Sequence, residues 1–134
     1  MAAIHLRNQI VFRAPARVGL LADVTDRLVG KGVNVLAIRG YEEDGDGVLI
    51  VYPDDSRLAT EALEMLDGDV SDMPMIVADM PNTPGQLADV ARALSMANVS
   101  VSQIHATTSP DCDRALVIIS TSDDVTAMDV LLKL

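Results

Sequence analysis

Aromatic residues are almost absent from this chain, which has one phenylalanine, two tyrosines and no tryptophan among its 134 residues. Hydrophobic residues nevertheless make up 49% of the sequence. A packed core is therefore expected to consist of aliphatic and methionine side chains. The length allows one ordinary domain or two very small ones.

Cysteine and positive charge are also scarce. Cys112 is the only cysteine, which excludes an intrachain disulfide and a multi-cysteine metal site, and we interpret it as a free thiol in a loop. Ten basic against 20 acidic residues give a net charge of −10. We therefore expect no nucleic-acid partner, because phosphate backbones are bound by basic surfaces.

Long apolar runs are missing as well. None approaches the roughly 20 residues that span a membrane, and residues 1–9 lack the apolar segment of a signal peptide. We therefore expect no membrane partner and a cytoplasmic location. The sequence shows no nucleophile–base pair, phosphate loop or metal-ligand cluster, so we expect no enzyme, no metal site and no cofactor.

The hydrophobic pattern predicts the order strand, helix, strand, strand, helix in each half of the chain. The predicted strands cover residues 9–12, 33–41, 48–52, 75–80, 99–107 and 115–120. The predicted helices cover residues 20–30, 86–97 and 123–134, with one more helix capped by Asp55 or Ser56. Residues 67–74 are predicted to be a polar connector, with room for one short strand around Val70. The inner faces of the first and third helices are predicted to include Leu21 and Leu87, and that of the last helix Leu134.

An internal repeat is the strongest feature of the sequence. A shift of 66 residues places first-half residues on identical second-half residues: Ile10 on Ile76, Pro15 on Pro81, Gly19 on Gly85, Leu28 on Leu94 and Val33 on Val99. We interpret the chain as a duplication of one small βαββα(β) unit, with residues 1–70 as the first repeat and 71–134 as the second.

Units of this order build antiparallel sheets with both helices on one face, so the predicted class is α+β with two ferredoxin-like units in tandem. Residues 48–51 and 116–119 are apolar at consecutive positions, which predicts strands that are buried on both faces. The sister repeat or a second chain is expected to cover the face without helices, and we expect a homodimer. The second repeat is expected to lack its final strand, which a partner chain would supply.

The run Pro84-Gly85-Gln86-Leu87-Ala88, between a strand and a helix that leads to a Val-x-Val strand, resembles the ACT domain. The first repeat has Arg17-Val18-Gly19-Leu20-Leu21 there, which keeps the glycine and loses the proline. The resemblance covers nearly the whole chain, once per repeat, and extends to short stand-alone proteins made of two ACT units. ACT domains are small regulatory modules that most often bind amino acids in enzymes of amino-acid metabolism. The resemblance therefore implies allosteric regulation, a small amino acid as ligand and a metabolic enzyme as partner.

The local chemistry at the second glycine also suits an amino acid. A glycine before a helix lets backbone N–H groups approach a ligand, and the helix N-terminus favours a carboxylate. Side-chain amides would take the ammonium group. The predicted ligand-binding residues of the second repeat are Asn82, Thr83, Pro84, Gly85, Gln86 and Leu87.

The resemblance adds Asn34 and Val35 to this site, because ACT domains often carry an asparagine at the start of the second strand that reaches ligand from the neighbouring domain. The repeats differ here, since Ala16 replaces Asn82 and Ser100 replaces Asn34. The implied result is one well-equipped site with Asn82 and Asn34, and a second, weaker site. The predicted residues of the weaker site are Ala16, Val18, Gly19, Leu20, Ser100 and Val101.

Three alternatives stay open. Asn82 could form an Asx turn before Thr83. Asn34 could have no role beyond starting a strand. The chain could be a structural or oligomerisation module whose ligand sites have decayed. An enzyme is the third class, since acylphosphatases share a ferredoxin-like unit, but residues 81–85 carry no arginine for a phosphate loop.

Overall fold

A computed structural model describes residues 3–134, which contain six strands and four helices. The elements are β1 (Ala3–Pro15), α1 (Leu20–Gly30), β2 (Val35–Glu43), β3 (Asp46–Pro53), α2 (Ser56–Glu64), β4 (Asp69–Pro81), α3 (Gln86–Met96), β5 (Val101–Thr107), β6 (Arg114–Thr121) and α4 (Asp124–Leu131). The predicted α+β class and the repeated βαββα order are confirmed. No helix within the described range is long and apolar enough to cross a membrane.

The chain forms two compact units. The N-terminal unit is Asn8–Met73, and the C-terminal unit joins Pro74–Leu134 with the segment that ends at Arg7. The strands follow the order β2-β3-β1 in the N-terminal unit and β5-β6-β4 in the C-terminal unit. Within each unit these neighbouring strands are antiparallel.

Each unit packs both of its helices on one face of its strands, as predicted. The core of the N-terminal unit combines strand and helix residues: Ile10, Phe12, Ala14, Leu49 and Val51 from β1 and β3, and Leu20, Val24, Leu28, Ala59, Ala62 and Leu63 from α1 and α2. The C-terminal unit repeats this arrangement with Ile76, Ala78, Met80, Val117 and Ile119 from β4 and β6, and Val90, Leu94, Ala127 and Leu131 from α3 and α4. Alternate strand residues point to one face, so a single face of each sheet carries both helices.

The opposite face is also buried along the third strand of each unit. Val48 and Ile50 alternate with the helix-facing residues of β3 and are 3% and 2% exposed, and Ile118 of β6 is fully buried. The prediction from the continuous apolar runs, that these strands are buried on both faces, is therefore confirmed.

The bounds of β4 and β1 differ from two predictions. A strand is present around Val70, but it is not a short strand inside a connector: it is the start of β4, which begins at Asp69, and Val70 packs against the core of the N-terminal unit. The C-terminal unit does not lack its final strand, because β1 extends back to Ala3 and Ile4 belongs to that unit's core. Both β1 and β4 have 13 residues. At about 3.3 Å per residue, each is long enough to provide a strand to both units.

The helix faces differ from the prediction by one residue. The buried stripe of α1 starts at Leu20, whereas Leu21 and its equivalent Leu87 are 55% and 48% exposed. Leu134 is 50% exposed because α4 ends at Leu131, before the helix could turn that side chain inward. The shift leaves Leu21 and Leu87 on the surface beside the loops that precede their helices.

An ion pair recurs in the two units with its charges exchanged. The Arg13 Nε donates to the Asp46 carboxylate at 2.8 Å, and the Arg114 Nε donates to Asp79 at 3.0 Å. Asp79 takes the position of Arg13 in the repeat, and Arg114 that of Asp46. The hydrogen bond to Asp46 is also the main cause of the raised pKa of Arg13. The ion pair therefore forms at this position whichever of its two strands carries the arginine.

Candidate ligand-binding site

The helices α1 and α3 begin differently from the other two. Gly19 and Gly85 precede them with φ of 90° and 94°, and no side chain among residues 3–134 caps either helix. In contrast, the carboxylates of Asp55 and Asp123 accept a backbone N–H at the starts of α2 and α4, both at 3.0 Å. Only glycine adopts such positive φ values without strain. The first turns of α1 and α3 therefore keep N–H groups available, and their positive end favours an anion.

The loop before each of these helices is tied to the nearby hairpin turn. The Ala16 N–H donates to the Gly45 carbonyl at 2.9 Å, and the Asn82 N–H donates to Asp113 at 2.8 Å. The Asn82 side chain adds a second bond, in which its Nδ2 donates to the Cys112 carbonyl at 2.9 Å. Asn82 thus links the loop to the β5–β6 turn, 30 residues away.

A pocket of about 420 Å³ lies at the start of α1 in the N-terminal unit. We call it the α1 pocket. Its lining combines the loop, the first turn of α1 and the adjoining ends of β2 and β3: Ala16, Arg17, Leu20, Leu21, Ile38, Gly40, Tyr41, Glu42, Gly47, Val48 and Leu49. The lining is mostly apolar, and Arg17 and Glu42 provide one charge of each sign.

A smaller pocket of about 190 Å³ lies at the start of α3, and we call it the α3 pocket. It is lined by Met80, Pro81, Asn82, Thr83, Gln86, Leu87, Ala106, Thr107, Thr108, Ala115 and Val117. None of these lining residues is charged. Hydroxyl and amide groups take a larger part here than in the α1 pocket.

The two pockets occupy equivalent places. The repeat aligns Ala16 with Asn82 and Leu20 with Gln86. The strand register supports the equivalence independently, because Gly40 lies opposite Leu49 in one unit and Ala106 lies opposite Val117 in the other. The same surface feature has therefore formed twice, from different side chains.

Charged groups near the helix starts are arranged differently in the two units. Arg17 forms an ion pair with Asp23 in the first turn of α1. In the C-terminal unit the equivalent Asp89 pairs instead with Arg92, at 3.0 Å and one turn further along α3. A cation therefore lies at the mouth of the α1 pocket and is absent from the lining of the α3 pocket.

The structure groups some of the predicted loop residues and separates others. Asn82, Thr83, Gln86 and Leu87 line the α3 pocket, whereas Pro84 and Gly85 do not. Gly85 acts instead as the N-cap of α3.

The first-repeat loop shows the same division. Ala16 and Leu20 line the α1 pocket, Gly19 is the N-cap of α1, and Val18 is fully exposed outside the pocket.

The predicted strand residues lie elsewhere within their units. Asn34 precedes β2, where its backbone N–H and carbonyl bond to Asp54, and Gly40 of the α1 pocket lies near the other end of that strand. Val35 packs against the core. Ser100 and Val101 line a separate cavity of about 290 Å³. The pairing of Asn82 with Asn34 stays a prediction.

Sequence reasoning did not anticipate the strand residues of the pockets. Gly40 and Gly47 line the α1 pocket, and Ala106 and Ala115 take their places in the α3 pocket. The repeat contained a usable signal, because the 66-residue shift pairs Gly40 with Ala106 next to strands already predicted to be adjacent. Their proximity to the helix start depends on strand register, which the local pattern does not specify.

Residues 75–130 match the ACT domain family, and the match includes the loop and first turn of the α3 pocket. No curated protein sequence matches this chain. Among solved structures, a protein from Bacteroides thetaiotaomicron is 25% identical, with a TM-score of 0.88 over 97% of this chain and 89% of that chain. The ligand-free regulatory subunit of aspartate kinase from Thermus thermophilus is 21% identical, with a TM-score of 0.74 over 99% of this chain and 96% of that chain. The corresponding subunit from Thermus flavus is 23% identical, with a TM-score of 0.65 over 98% and 95%. The likeness to the two subunits is one of fold.

Proposed function

We propose that this chain is a non-catalytic regulatory protein that binds a small amino acid beside α1 and α3. Its bound state would act on a partner enzyme of amino-acid metabolism or on a second copy of the chain. The observation that carries the proposal is the repeated combination of an uncapped helix start with a pocket. The match of residues 75–130 to the ACT domain supports a regulatory role. The fold of the aspartate kinase regulatory subunits is in accord with it.

The chemistry of a free amino acid fits the pockets in two ways. Its carboxylate suits the N–H groups at the helix start, where charge-assisted hydrogen bonds form with a favourable helix dipole. Its side chain suits a concave lining that includes Leu21 in one unit and Leu87 in the other. Pockets of this kind, apolar with a few convergent polar groups, are the usual sites of small ligands.

A thermal-shift screen against the twenty amino acids tests the proposal. Ligand that binds only the folded state stabilises it by mass action, by about 2.7 kcal/mol at a concentration of 100 times the dissociation constant. We expect one or a few amino acids to raise the melting temperature. A flat screen at millimolar concentrations contradicts the proposal.

Matched variants at Leu21 and Leu87 test whether a rise in melting temperature comes from binding in the pockets. Both side chains are half-exposed at the second residue of a helix, where a glutamate is favourable to the helix dipole. We expect Leu21→Glu and Leu87→Glu to fold normally and to repel a ligand carboxylate. Leu21→Gln and Leu87→Gln are controls of similar size without the charge. Equal ligand response in the Glu and Gln variants would place the ligand away from the helix starts.

A structural or oligomerisation module is the second candidate, and the edge strands favour it. Leu36 and Ile38 on β2 are 46% and 40% exposed, and Val101 and Ile104 on β5 are 39% and 44% exposed. Edge strands with exposed apolar residues are suited to pairing with another chain. Sedimentation equilibrium distinguishes the candidates. A dimer that forms without ligand, together with a flat amino-acid screen, favours the module.

A further inference from the structure

The α1 and α3 pockets differ in polarity at one linked pair of positions. Leu20 lines the α1 pocket where Gln86 lines the α3 pocket, and Gly47 stands where the other pocket has Ala115. A Cβ atom on Gly47 would lie 2.6 Å from the Leu20 Cδ2, well inside van der Waals contact. With glycine at 47 the Leu20 side chain keeps its place, whereas a Cβ atom there would require its Cδ2 end to move. We therefore treat the two positions as a pair.

Two strand positions differ in the same direction. The α1 pocket is the larger, and Leu49 and Ile38 add to its apolar lining. The smaller α3 pocket has Val117 in place of Leu49. Hydroxyl groups line the α3 pocket where the α1 pocket has charged side chains, because Thr83 and Thr108 replace Arg17 and Glu42.

We propose that the two pockets differ in ligand specificity, an inference that rests on the proposed function. The α1 pocket binds an α-amino acid with an aliphatic side chain, and the α3 pocket rejects that side chain in favour of a short polar one. An aliphatic group against Leu20 and Leu49 gains apolar burial. The same group against Gln86 would displace water from the half-buried amide without offering it a hydrogen bond, which disfavours apolar analogues at polar sites.

A methyl NMR titration of the unaltered protein tests this directly, with L-leucine and L-serine as the probes. We expect leucine to shift the methyl signals of Leu20 and Leu49 at concentrations roughly tenfold lower than those that shift Val117, in line with selectivity of apolar pockets for side-chain size. Serine is expected to shift Val117 first.

Exchanging Leu20 and Gly47 with their equivalents Gln86 and Ala115 provides the matched variants. Leu20→Gln with Gly47→Ala gives the α1 pocket the residues of the α3 pocket, and we expect its leucine affinity to fall roughly tenfold. Gln86→Leu with Ala115→Gly makes the reverse exchange, and we expect a similar gain in leucine affinity at the α3 pocket. Because Leu20 is buried, circular dichroism must first establish that the former variant is folded. If it is not, the titration of the unaltered protein decides.

The outcomes separate the inference from the proposed function. Leucine that shifts Leu20, Leu49 and Val117 over the same concentrations, or exchange variants with unchanged affinities, would overturn the specificity difference and leave amino-acid binding intact. If no amino acid shifts any methyl signal, amino-acid binding and the inference fall together.

Discussion

Gly68 provides the sharpest test of the packing, because a single methyl group there has no free space. A Cβ atom at this position would lie 2.5 Å from Cζ of Phe12 and 2.8 Å from the carbonyl oxygen of Arg13. Phe12 is fully buried in the core of the N-terminal unit, so its ring cannot move outward freely. Gly68 is not among the glycines with positive φ, so the cost of Gly68→Ala is steric.

The expected loss of stability follows from these distances. Apolar carbon atoms pack at about 3.5–4.0 Å, so the ring or the segment around Gly68 must move by roughly 1 Å. Overpacking of this kind costs about 1–3 kcal/mol. For a chain of this length that corresponds to a fall in melting temperature of roughly 3 to 15 °C.

Gly30→Ala is the matched control. Gly30 is the last residue of α1, and a Cβ atom built there meets nothing within 4 Å. Alanine at this position loses less backbone entropy on folding, so we expect a change between zero and about 1 kcal/mol in the stabilising direction. The two glycine-to-alanine changes should therefore have opposite signs. Urea denaturation followed by circular dichroism measures both.

The Phe12→Leu variant identifies the contact that makes Gly68→Ala destabilising. Phe12→Leu removes the ring atoms that Cβ would meet, so Gly68→Ala should cost less in that background by more than about 0.5 kcal/mol, the limit of additivity for independent sites. Equal costs in both backgrounds would assign the effect to the Arg13 carbonyl. A Gly68→Ala protein as stable as the unaltered one would refute the packing described here.

Three further predictions concern a cap, an ion pair and a turn. Asp123→Ala should lower the melting temperature at neutral pH. Hydrogen bonds from the side chain and backbone of Thr126 lower the pKa of Asp123, so its contribution is present above the ordinary aspartate pKa and lost as pH falls through the lowered value. Thermal scans should show the difference from the unaltered protein shrinking in acid, and a constant difference contradicts this. Asp79→Arg should destabilise by placing two arginines together, and adding Arg114→Asp should restore stability to within about 1 kcal/mol, the range for exposed pairs. No recovery in urea denaturation would show that charge order matters here. Gly85→Ala should cost about 1–2 kcal/mol through backbone strain alone, since its Cβ meets no atom within 4 Å, and an unchanged denaturation midpoint would argue against the positive φ.

Local signals account for the parts of the fold that were predicted well. The helix α1 has the predicted bounds, and α3 begins at the predicted Gln86, because each follows a glycine and carries a clear apolar stripe. The first hairpin turn lies between β2 and β3 at Asp44 and Gly45, which both adopt the positive φ that Asp-Gly turns need.

Long-range pairing accounts for some of the parts that were missed. Residues 69–73 form the start of β4 although only Val70 and Met73 are apolar there, so the strand is set by its neighbour rather than by a local pattern. The early start of β1 at Ala3 was missed although Ile4 and Leu6 alternate with His5 and Arg7 as in a strand. The site residues likewise fall into a group that a local pattern predicts and a group that depends on long-range pairing. Its loop residues could be found from the glycine and the helix that follows, whereas Gly40 reaches the α1 pocket only through strand register.

The two repeats keep part of the core and differ in the rest of it and at the pockets. On the helices, Val24 matches Val90 and Leu28 matches Leu94, whereas on the strands Phe12 and Ala14 of one core correspond to Ala78 and Met80 of the other. Drift at an exposed position needs no compensation. The change from Leu20 to Gln86 is different, because Leu20 is only 8% exposed and its Cδ2 occupies the space that a side chain at position 47 would need. With glycine at 47, Leu20 keeps this position, whereas a side chain at 47 would require the end of Leu20 to move. The exchange therefore changes the lining of the pocket, which is where the inferred difference in ligand specificity would arise.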